Sequence, residues 1–492
     1  MDKRRDNVTM LMRIGATSLE RDKINMSHKN SAPRVGAQQP NIRLFHRRRV
    51  FVGVVLASCG IIEVMFKDYI QKKLEKYVTT YLRRHPDIKL IIVTGSVGKT
   101  GTKVAIGTVL SQRFRVRLHE GNHNAELSGP LAILGIAYPE NLKSIRTWLG
   151  IFSAARQRIR RPSDVDVIIQ EVGSDRIGQV PHFGTYATPY LAVVTAVSAE
   201  HMEFFQTLDA VAAEELSAAN FSQFALINRD NIDGAYAAKL TNPRINTYGT
   251  TDAAEFHFIQ EDYTLQDGFT GLFSTQGELN VGVKVQLKVA GEHSLRAAIA
   301  AGAVGLKMGM TPDELRTGLN NIRPVKGRMN ILRGVEETII IDDTYNSSPL
   351  AAAAAIQALY ALSVPQRIVV LGSMNELGAT SPAEHTAIGK LCDPSLLAHV
   401  ITVGEQAATY LAPAALSNGC HVVSFKTALE AGAYAHKVLE KGAAILFKGS
   451  QGGIYLEEAV KIVLHATEEE EQLVRQSAAW LEEKQAFFSK FS

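Results

Sequence analysis

The chain has 492 residues, more than one hydrophobic core usually supports, and two to four domains are expected. Its apolar content of 46% and charged content of 21% are ordinary for a globular protein. The three cysteines lie far apart without metal-binding spacing, which excludes a disulfide framework and indicates a reducing compartment. The first 50 residues carry a net charge of +8 and the remaining 442 carry −4, so the basic excess belongs to a tail and not to a catalytic body.

The N-terminal pattern predicts a disordered tail followed by a membrane-surface segment. Residues 1–45 are polar and basic without periodicity, as in a solvated leader; contact with anionic lipid or nucleic acid is the alternative. Residues 46–66 hold three arginines and a run of seventeen mostly apolar residues. As a helix this run would span about 25 Å, against a hydrocarbon core of about 30 Å. Basic residues flank both ends, so we expect an interfacial anchor on the inner face of the membrane, with a short transmembrane span as the alternative.

A second helix is predicted directly after this segment. Apolar residues recur with helical spacing over residues 67–84, and Pro86 ends the pattern. We expect the helix to dock on the domain that follows. The predicted segment of anchor and helix therefore covers residues 46–88.

A strand, a glycine-rich turn and a helix come next. The apolar run Leu90–Val93 predicts a buried strand, and Lys103–Leu110 predicts a helix. A turn in this context directs backbone N–H groups and a helix N-terminus at a phosphate chain. The predicted nucleotide-binding residues are Gly95, Ser96, Val97, Gly98, Lys99, Thr100 and Gly101.

Two residues of this glycine loop carry the expected chemistry. Lys99 would reach the β- and γ-phosphates of ATP, and the Thr100 hydroxyl would bind Mg²⁺. The general P-loop pattern has a glycine five residues before Gly98, where this chain has Val93, so the loop is a shorter form. The alternative is a tight strand-to-helix turn that carries a lysine and a threonine by chance.

Alternating strand and helix patterns predict an α/β fold with two sheets. Residues 89–322 are expected to form a central P-loop ATPase domain with a mostly parallel sheet, and residues 254–290 to form antiparallel hairpins within it. Residues 323–466 are expected to form a doubly wound, Rossmann-like domain. A charged helix is predicted over residues 468–490, within a final segment of residues 467–492.

Six further stretches follow the glycine loop in order. They are Gly121–Asn124, Glu171–Gly173, Ser198–Phe205, Pro324–Met329, Ile341–Pro349 and Leu446–Ser450. Together with the glycine loop they resemble the Mur ligase family over about three quarters of the chain, and are most similar to its D-alanyl-D-alanine-adding branch. Members of this family use ATP to join an amino acid or peptide to a carboxylate.

The resemblance implies that a carboxylate attacks the γ-phosphate of ATP and that an amine then displaces phosphate from the acyl phosphate. The implied catalytic residues are Lys99, Glu171, His201 and Arg328, with Thr100, Glu171 and His201 as ligands of Mg²⁺. The nucleotide would also contact Arg328, His293, Asp343 and Asn346, and the substrates would contact Asn122, Asn124 and Lys448. The alternative for His201 is a histidine that makes its hydrogen bonds within the fold near the start of a helix. The alternative for Glu171 and Asp343 is a carboxylate that ends a strand and has only a structural role.

Several departures from the family pattern affect the predicted site. The lysine that the family carbamylates falls on Glu215, and we hypothesise that this glutamate replaces it as the metal-side acid. Both asparagines after His293 are absent, Gln451 stands in place of an arginine, and Ser373 stands in place of an aspartate. Residues 1–88 show no pattern of the UDP-sugar-binding domain that the D-alanyl-D-alanine-adding ligases carry there.

The resemblance therefore implies a cytoplasmic, monomeric ligase that adds D-Ala-D-Ala or a similar amine to a peptidoglycan-type precursor, without a nucleic acid partner. One alternative is a related ligase for another carboxylate, such as poly-γ-glutamate or a lipid-linked precursor. The other is a degenerate nucleotide-binding scaffold for partners in cell-wall synthesis.

Overall fold

A computed structural model of the chain describes residues 65–119, 126–139, 141–142, 144–265, 267–276 and 281–491. The predicted tail, most of the predicted anchor and the two asparagines Asn122 and Asn124 lie outside these ranges. Over the described residues, no helix combines the length and the apolar character needed to cross a bilayer.

The first sheet precedes residue 290. Its strands are β1 (Lys89–Thr94), β2 (Val116–Leu118), β3 (Val167–Glu171), β4 (Leu191–Val194), β5 (Phe224–Asn228), β6 (Ile245–Tyr248), β7 (Phe256–Thr264), β8 (Gly268–Thr275) and β9 (Gly282–Leu287). Within the described ranges they form one sheet in the order β2-β3-β1-β4-β5-β6-β7-β8-β9. Neighbours from β2 to β7 run parallel, and β7 to β9 pair antiparallel. The mostly parallel sheet and its hairpins match the prediction.

Helices cover both faces of this sheet. They are α1 (65–84), α2 (Lys99–Leu110), α3 (Ser128–Leu134), α4 (Ile145–Arg160), α5 (Gln179–Gly184), α6 (Met202–Phe205), α7 (Leu208–Phe221), α8 (Glu292–Lys307) and α9 (Pro312–Asn320). Helix α1 agrees with the helix predicted over residues 67–84.

The central strand β1 is buried on both faces because its apolar residues are continuous. Ile91 and Val93 pack into the core that contains α2 and α8. Leu90 and Ile92 pack on the other side, with residues of α1 and α3. Full burial of one such side chain contributes about 1.5–3 kcal/mol to stability. The position of β1, between β3 and β4, thus brings three strand ends together beside the glycine loop.

Helix α2 begins earlier than predicted. The prediction placed its start at Lys103, whereas the structure begins the helix at Lys99, directly after Gly98 with φ +85°. The left-handed glycine turns the chain so that Lys99 and Thr100 occupy the first turn of the helix. The N–H groups of a first turn have no partner within the helix, which suits anion binding.

The second sheet begins after residue 329. Its strands are β10 (Asn330–Arg333), β11 (Ile339–Asp343), β12 (Arg367–Gly372), β13 (His399–Val403), β14 (Val422–Phe425) and β15 (Ala444–Lys448). The order among the described residues is β10-β11-β15-β12-β13-β14, and β10 alone pairs antiparallel. The helices are α10 (Pro349–Tyr360), α11 (Ser381–Leu391), α12 (Ala412–Ser417), α13 (Ala428–Val438), α14 (Glu457–Val463) and α15 (Ala478–Phe488). This doubly wound arrangement agrees with the predicted fold class, while the predicted domain boundaries stay a prediction.

The prediction of a single charged helix over residues 468–490 is wrong. The structure has a 3₁₀ helix at Thr467–Gln472, a non-helical stretch, and then α15. Arg475 interrupts the helical pattern with φ +53°. Its guanidinium lies against the buried carboxylate of Glu457, and this tertiary ion pair overrides the local helical preference.

Candidate nucleotide-binding and ligase site

The glycine loop approaches β4 so closely that only glycine fits at its start. Gly95 has φ +123°, and a Cβ there would lie 2.3 Å from Thr195 Oγ1. The Thr195 hydroxyl donates a hydrogen bond to the carbonyl of Val97 at 2.6 Å. Contacts within the protein therefore hold the loop against β4.

Part of the loop's backbone is already hydrogen-bonded within the protein. The N–H of Gly95 donates to Glu215 at 2.8 Å, and the N–H of Ser96 donates to the carbonyl of Ala196 at 3.0 Å. The Ser96 hydroxyl bonds the segment at Ser198. In this conformation a phosphate would be bound by the N–H groups over residues 97–101, whereas Gly95 and Ser96 shape the loop.

Glu215 lies behind the loop. This buried carboxylate on α7 accepts hydrogen bonds from the Thr94 hydroxyl and the Gly95 N–H. Burial raises its pKa, and the nearby Lys99 acts in the opposite direction. These contacts support a role in positioning the loop, and the hypothesis that Glu215 is the metal-side acid stays a prediction.

Lys99 is folded back onto its own loop. Its ammonium donates to the carbonyls of Gly95 and Ser96 and lies 3.4 Å from a carboxylate oxygen of Glu200. Burial alone would lower the pKa of Lys99, but the carboxylates of Glu200, Glu215 and Glu171 together raise it. The lysine is therefore a partly buried cation held by groups that an incoming phosphate could replace.

Thr100 meets Glu171 at the end of β3. The Thr100 hydroxyl donates to Glu171 Oε2 at 3.1 Å, and Lys103 Nζ lies 3.3 Å from the same oxygen. The parallel pairing of β1 with β3 produces this contact, since it sets Val93 beside Glu171. Arg328, which precedes β10, reaches the Thr100 hydroxyl at 3.4 Å. A residue next to the second sheet thus enters the site, as the resemblance implied.

His201 lies beside Glu200, the carboxylate that also contacts Lys99. Its Nδ1 lies 2.9 Å from Glu376, and both residues have positive φ. Burial would lower the pKa of His201, but Glu376 and Glu200 outweigh it and raise the pKa. No group of three His, Cys, Asp or Glu side chains in the described ranges is placed to hold a metal ion. Thr100 and Glu171 of the predicted set are in contact, and the role of His201 as a third ligand stays a prediction.

Lys448 is buried among residues predicted for the nucleotide. Its Nζ lies 2.7 Å from Asp343 Oδ2 and donates to the carbonyl of Asn346 at 3.0 Å. The predicted contact with the incoming amine's carboxylate stays a prediction. His293 is partly buried, and its desolvation lowers its pKa to about 4, so its ring is neutral near pH 7.

A chain of contacts links Arg328 to the C-terminal segment. The guanidinium of Arg328 lies 4.3 Å from the centroid of the Tyr345 ring, a cation–π distance. Arg475 donates to the carbonyls of Thr344 at 2.7 Å and Tyr345 at 3.1 Å, and pairs with Glu457 at 2.6 Å. Arg475 therefore fixes the segment on which Arg328 lies.

A cavity of about 370 Å³ opens beside Glu171. Residues of α1, the end of β3 and α5 line it, including Glu75, Arg176, His182 and Tyr186. Glu75 and His182 pair across it at 2.8 Å. A substrate group in this cavity would lie next to the carboxylate that binds Thr100.

Sequence reasoning missed four residues of this arrangement. They are Lys103, Glu200, Glu376 and Arg475. Glu200 directly precedes His201, and Glu376 follows Ser373 by three residues, so attention to neighbours of the matched stretches would have found both. Arg475 lies in a charged stretch without any motif, and only its tertiary contacts reveal it.

Arg475→Met is expected to loosen the segment at Tyr345 and to weaken nucleotide binding. The variant removes two bonds to carbonyl groups and one cation from the buried Glu457. Breaking a buried ion pair lowers the free energy of unfolding by about 3–5 kcal/mol. Urea unfolding and titration with an ATP analogue measure the two effects on the same preparation.

Lys484→Met is the matched control for that variant. Lys484 also pairs with Glu457, at 3.5 Å, and contacts Glu458. Both variants should lose stability, whereas the loss of nucleotide affinity should be confined to Arg475→Met. Equal nucleotide affinities in the two folded variants would contradict the positioning role of Arg475.

The chain is similar to known proteins along most of its length. The Mur ligase middle domain matches residues 93–305, and the Mur ligase glutamate ligase domain matches residues 327–451. The UDP-N-acetylmuramoyl-tripeptide–D-alanyl-D-alanine ligase of Bacillus subtilis is 28% identical over 412 residues, which cover 82% of this chain and 81% of that protein. The ligase of the same name from Escherichia coli is 26% identical over 332 residues, 67% of each chain.

The fold is shared with a solved structure. MurF ligase from Thermotoga maritima in complex with ADP has a TM-score of 0.64 at 21% identity, covering 82% of this chain and 84% of that chain. At this identity the likeness establishes a common fold. The two domain matches, in the family's order and over most of the described structure, show that the chain belongs to the Mur ligase family.

Proposed function

We propose that the chain is an ATP-dependent, ADP-forming ligase that joins an amine to a carboxylate of a peptidoglycan-type precursor. D-alanyl-D-alanine is the first candidate for the amine, since the relatives reported above carry it in their names. The observation that carries the proposal is the meeting of Lys99, Thr100 and Glu171 at one strand edge, with Arg328 arriving from beside the second sheet. The predicted monomeric state and cytoplasmic location remain predictions.

The first step forms an acyl phosphate. A carboxylate oxygen of the acceptor attacks the γ-phosphorus of ATP, and the bond from that phosphorus to the β-phosphate oxygen breaks to release ADP. Lys99 and Arg328 would neutralise the charge that collects on the transferred group, which is the main catalytic requirement of phosphoryl transfer. The cavity beside Glu171 would hold the acceptor next to the triphosphate.

The second step forms the amide. The nitrogen of the amine attacks the acyl carbon, inorganic phosphate leaves with the bonding pair, and the nitrogen loses its proton. Closure of the Arg328 side over the glycine loop would exclude water from the acyl phosphate before the amine arrives.

The donor set at Thr100 and Glu171 suits Mg²⁺, which prefers hydroxyl and carboxylate oxygen. These two residues would hold the ion, and His201 is the further ligand implied by the resemblance. The ion would supply positive charge to the phosphate oxygens. Lys103 lies 3.3 Å from the same oxygen of Glu171 and places a second positive charge beside that buried carboxylate.

A related ligase acting on a lipid-linked or poly-γ-glutamate carboxylate is the second candidate. It is favoured by residues 1–88, whose basic tail, apolar run and α1 carry no pattern of a UDP-sugar site. A degenerate scaffold is favoured by the absence of the asparagines after His293, but the ordered contacts of Lys99, Thr100 and Glu171 support turnover.

ADP release by the purified full chain separates these functions. Release is expected to require one acceptor and one amine together, with D-Ala-D-Ala and a UDP-linked tripeptide precursor tested first. Lys99→Met should lower kcat/KM about 100-fold or more, because it removes a charge aimed at the transferred phosphate. Lys284→Met, at an exposed lysine on β9, is the matched control and should remain fully active. Nucleotide binding without turnover on any acceptor would point to the scaffold.

Glu215→Ala distinguishes a loop-positioning role from a metal-side role. Hydrogen bonds to a charged group contribute about 1.5–3 kcal/mol of free energy. If the loop must re-form around the nucleotide, losing them should weaken nucleotide binding roughly 10- to 150-fold. If Glu215 positions the loop, the affinity of the variant for an ATP analogue should fall both with and without Mg²⁺, as measured by titration calorimetry. A loss of affinity that appears only when Mg²⁺ is present would establish the metal-side role. The wild-type protein is expected to be active without added bicarbonate.

A further inference from the structure

We propose that the protein docks on an anionic lipid surface through the outer face that α1 and α4 share. We call this the basic–apolar face and define it by Lys73, Lys76, Ile145, Leu149, Arg156 and Arg160. It lies outside the ligase site described above, so the proposal does not rest on the proposed reaction.

The two helices meet side by side at Phe152. The ring of Tyr77 on α1 lies 6.0 Å from that of Phe152, and Lys73 Nζ lies 4.3 Å from the Phe152 centroid. Arg156 donates to the Tyr77 hydroxyl at 3.3 Å. The lysines of α1 and the arginines of α4 are thus brought onto one continuous face.

The face exposes aliphatic side chains that the fold does not cover. Ile145 is 65% exposed and Leu149 is 61% exposed, although both belong to an otherwise amphipathic helix. Helical spacing places them on the same stripe as Arg156 and Arg160. Exposed aliphatic side chains can enter the acyl boundary of a bilayer while neighbouring arginines contact anionic headgroups.

The charge of the face is unbalanced. From Ile145 to Arg160 the sequence holds four arginines and no acidic residue. Arg158 pairs with Asp164, which makes it part of the fold. Lys73, Lys76, Arg156 and Arg160 form no ion pair with any residue in the described ranges, so their charge is available to a partner.

Anionic lipid fits this combination better than nucleic acid does. Phosphate groups satisfy the basic side chains in either partner, but Ile145 and Leu149 gain free energy when acyl chains bury them. The sequence that leads into α1 is the apolar run ending at Phe66, preceded by three arginines. The chain therefore enters α1 from the segment that was predicted to lie at a membrane surface.

A local probe tests whether the face itself touches lipid. In the full-length chain, Leu149→Trp should show a blue-shifted emission that brominated lipid quenches, in vesicles of phosphatidylglycerol and phosphatidylcholine in equal parts. Leu416→Trp is the matched control, since Leu416 is 63% exposed on α12. Quenching at position 149 beyond the wild-type signal, with none at 416, supports the proposal. No added quenching at 149 overturns it, even if residues 46–66 tether the protein to the vesicle.

A charge variant tests the electrostatic part. Each basic residue near an anionic surface contributes about fivefold to affinity, so Arg156→Gln with Arg160→Gln should weaken vesicle binding roughly thirtyfold. Arg316→Gln with Lys284→Gln removes two exposed charges elsewhere and should leave binding unchanged. ADP release in solution should be unchanged in both double variants. Unaltered vesicle binding, or binding to an RNA oligonucleotide in preference to vesicles, would contradict the proposal.

Discussion

Compensation of buried charge around the glycine loop is the interaction on which the rest of the site depends. The partly buried Lys99 lies near the carboxylates of Glu171, Glu200 and Glu215, which raise its pKa although burial acts in the opposite direction. Buried charges of this kind are tolerated when they are paired, and removing one partner is costly. The cluster exists because β1, β3 and β4 are neighbours and end at the same edge of the sheet. A triphosphate at this edge would exchange carboxylate partners of Lys99 for phosphate oxygens.

The second sheet completes the site through a short relay of contacts. Arg328 reaches Thr100, the Tyr345 ring supports Arg328, and Arg475 binds the carbonyls on either side of Tyr345. The last of these residues is near the C-terminus, where it also interrupts the predicted helix. One ion pair, between Arg475 and Glu457, therefore explains both the local backbone and the support of the site.

Much of the fold could be predicted from the sequence because its strands are buried on both faces. Continuous apolar runs leave few alternatives, and the predicted strand Leu90–Val93 lies within the observed β1 (Lys89–Thr94). Lys99, Thr100 and Glu171 could be predicted because they lie within matched stretches. The contact of Glu215 with the loop could not, since it depends on how α7 packs against β1, more than 100 residues away in sequence. The pairing of His201 with Glu376 likewise depends on how the two sheets approach each other.

The most direct test is a crystal structure of the full chain with a non-hydrolysable ATP analogue and Mg²⁺. The account predicts that Lys99 Nζ leaves the carbonyls of Gly95 and Ser96 and contacts the terminal phosphates, with the N–H groups over residues 97–101 around them and Thr100 and Glu171 at the ion. A nucleotide bound elsewhere, with Lys99 still folded onto its own loop, would contradict it.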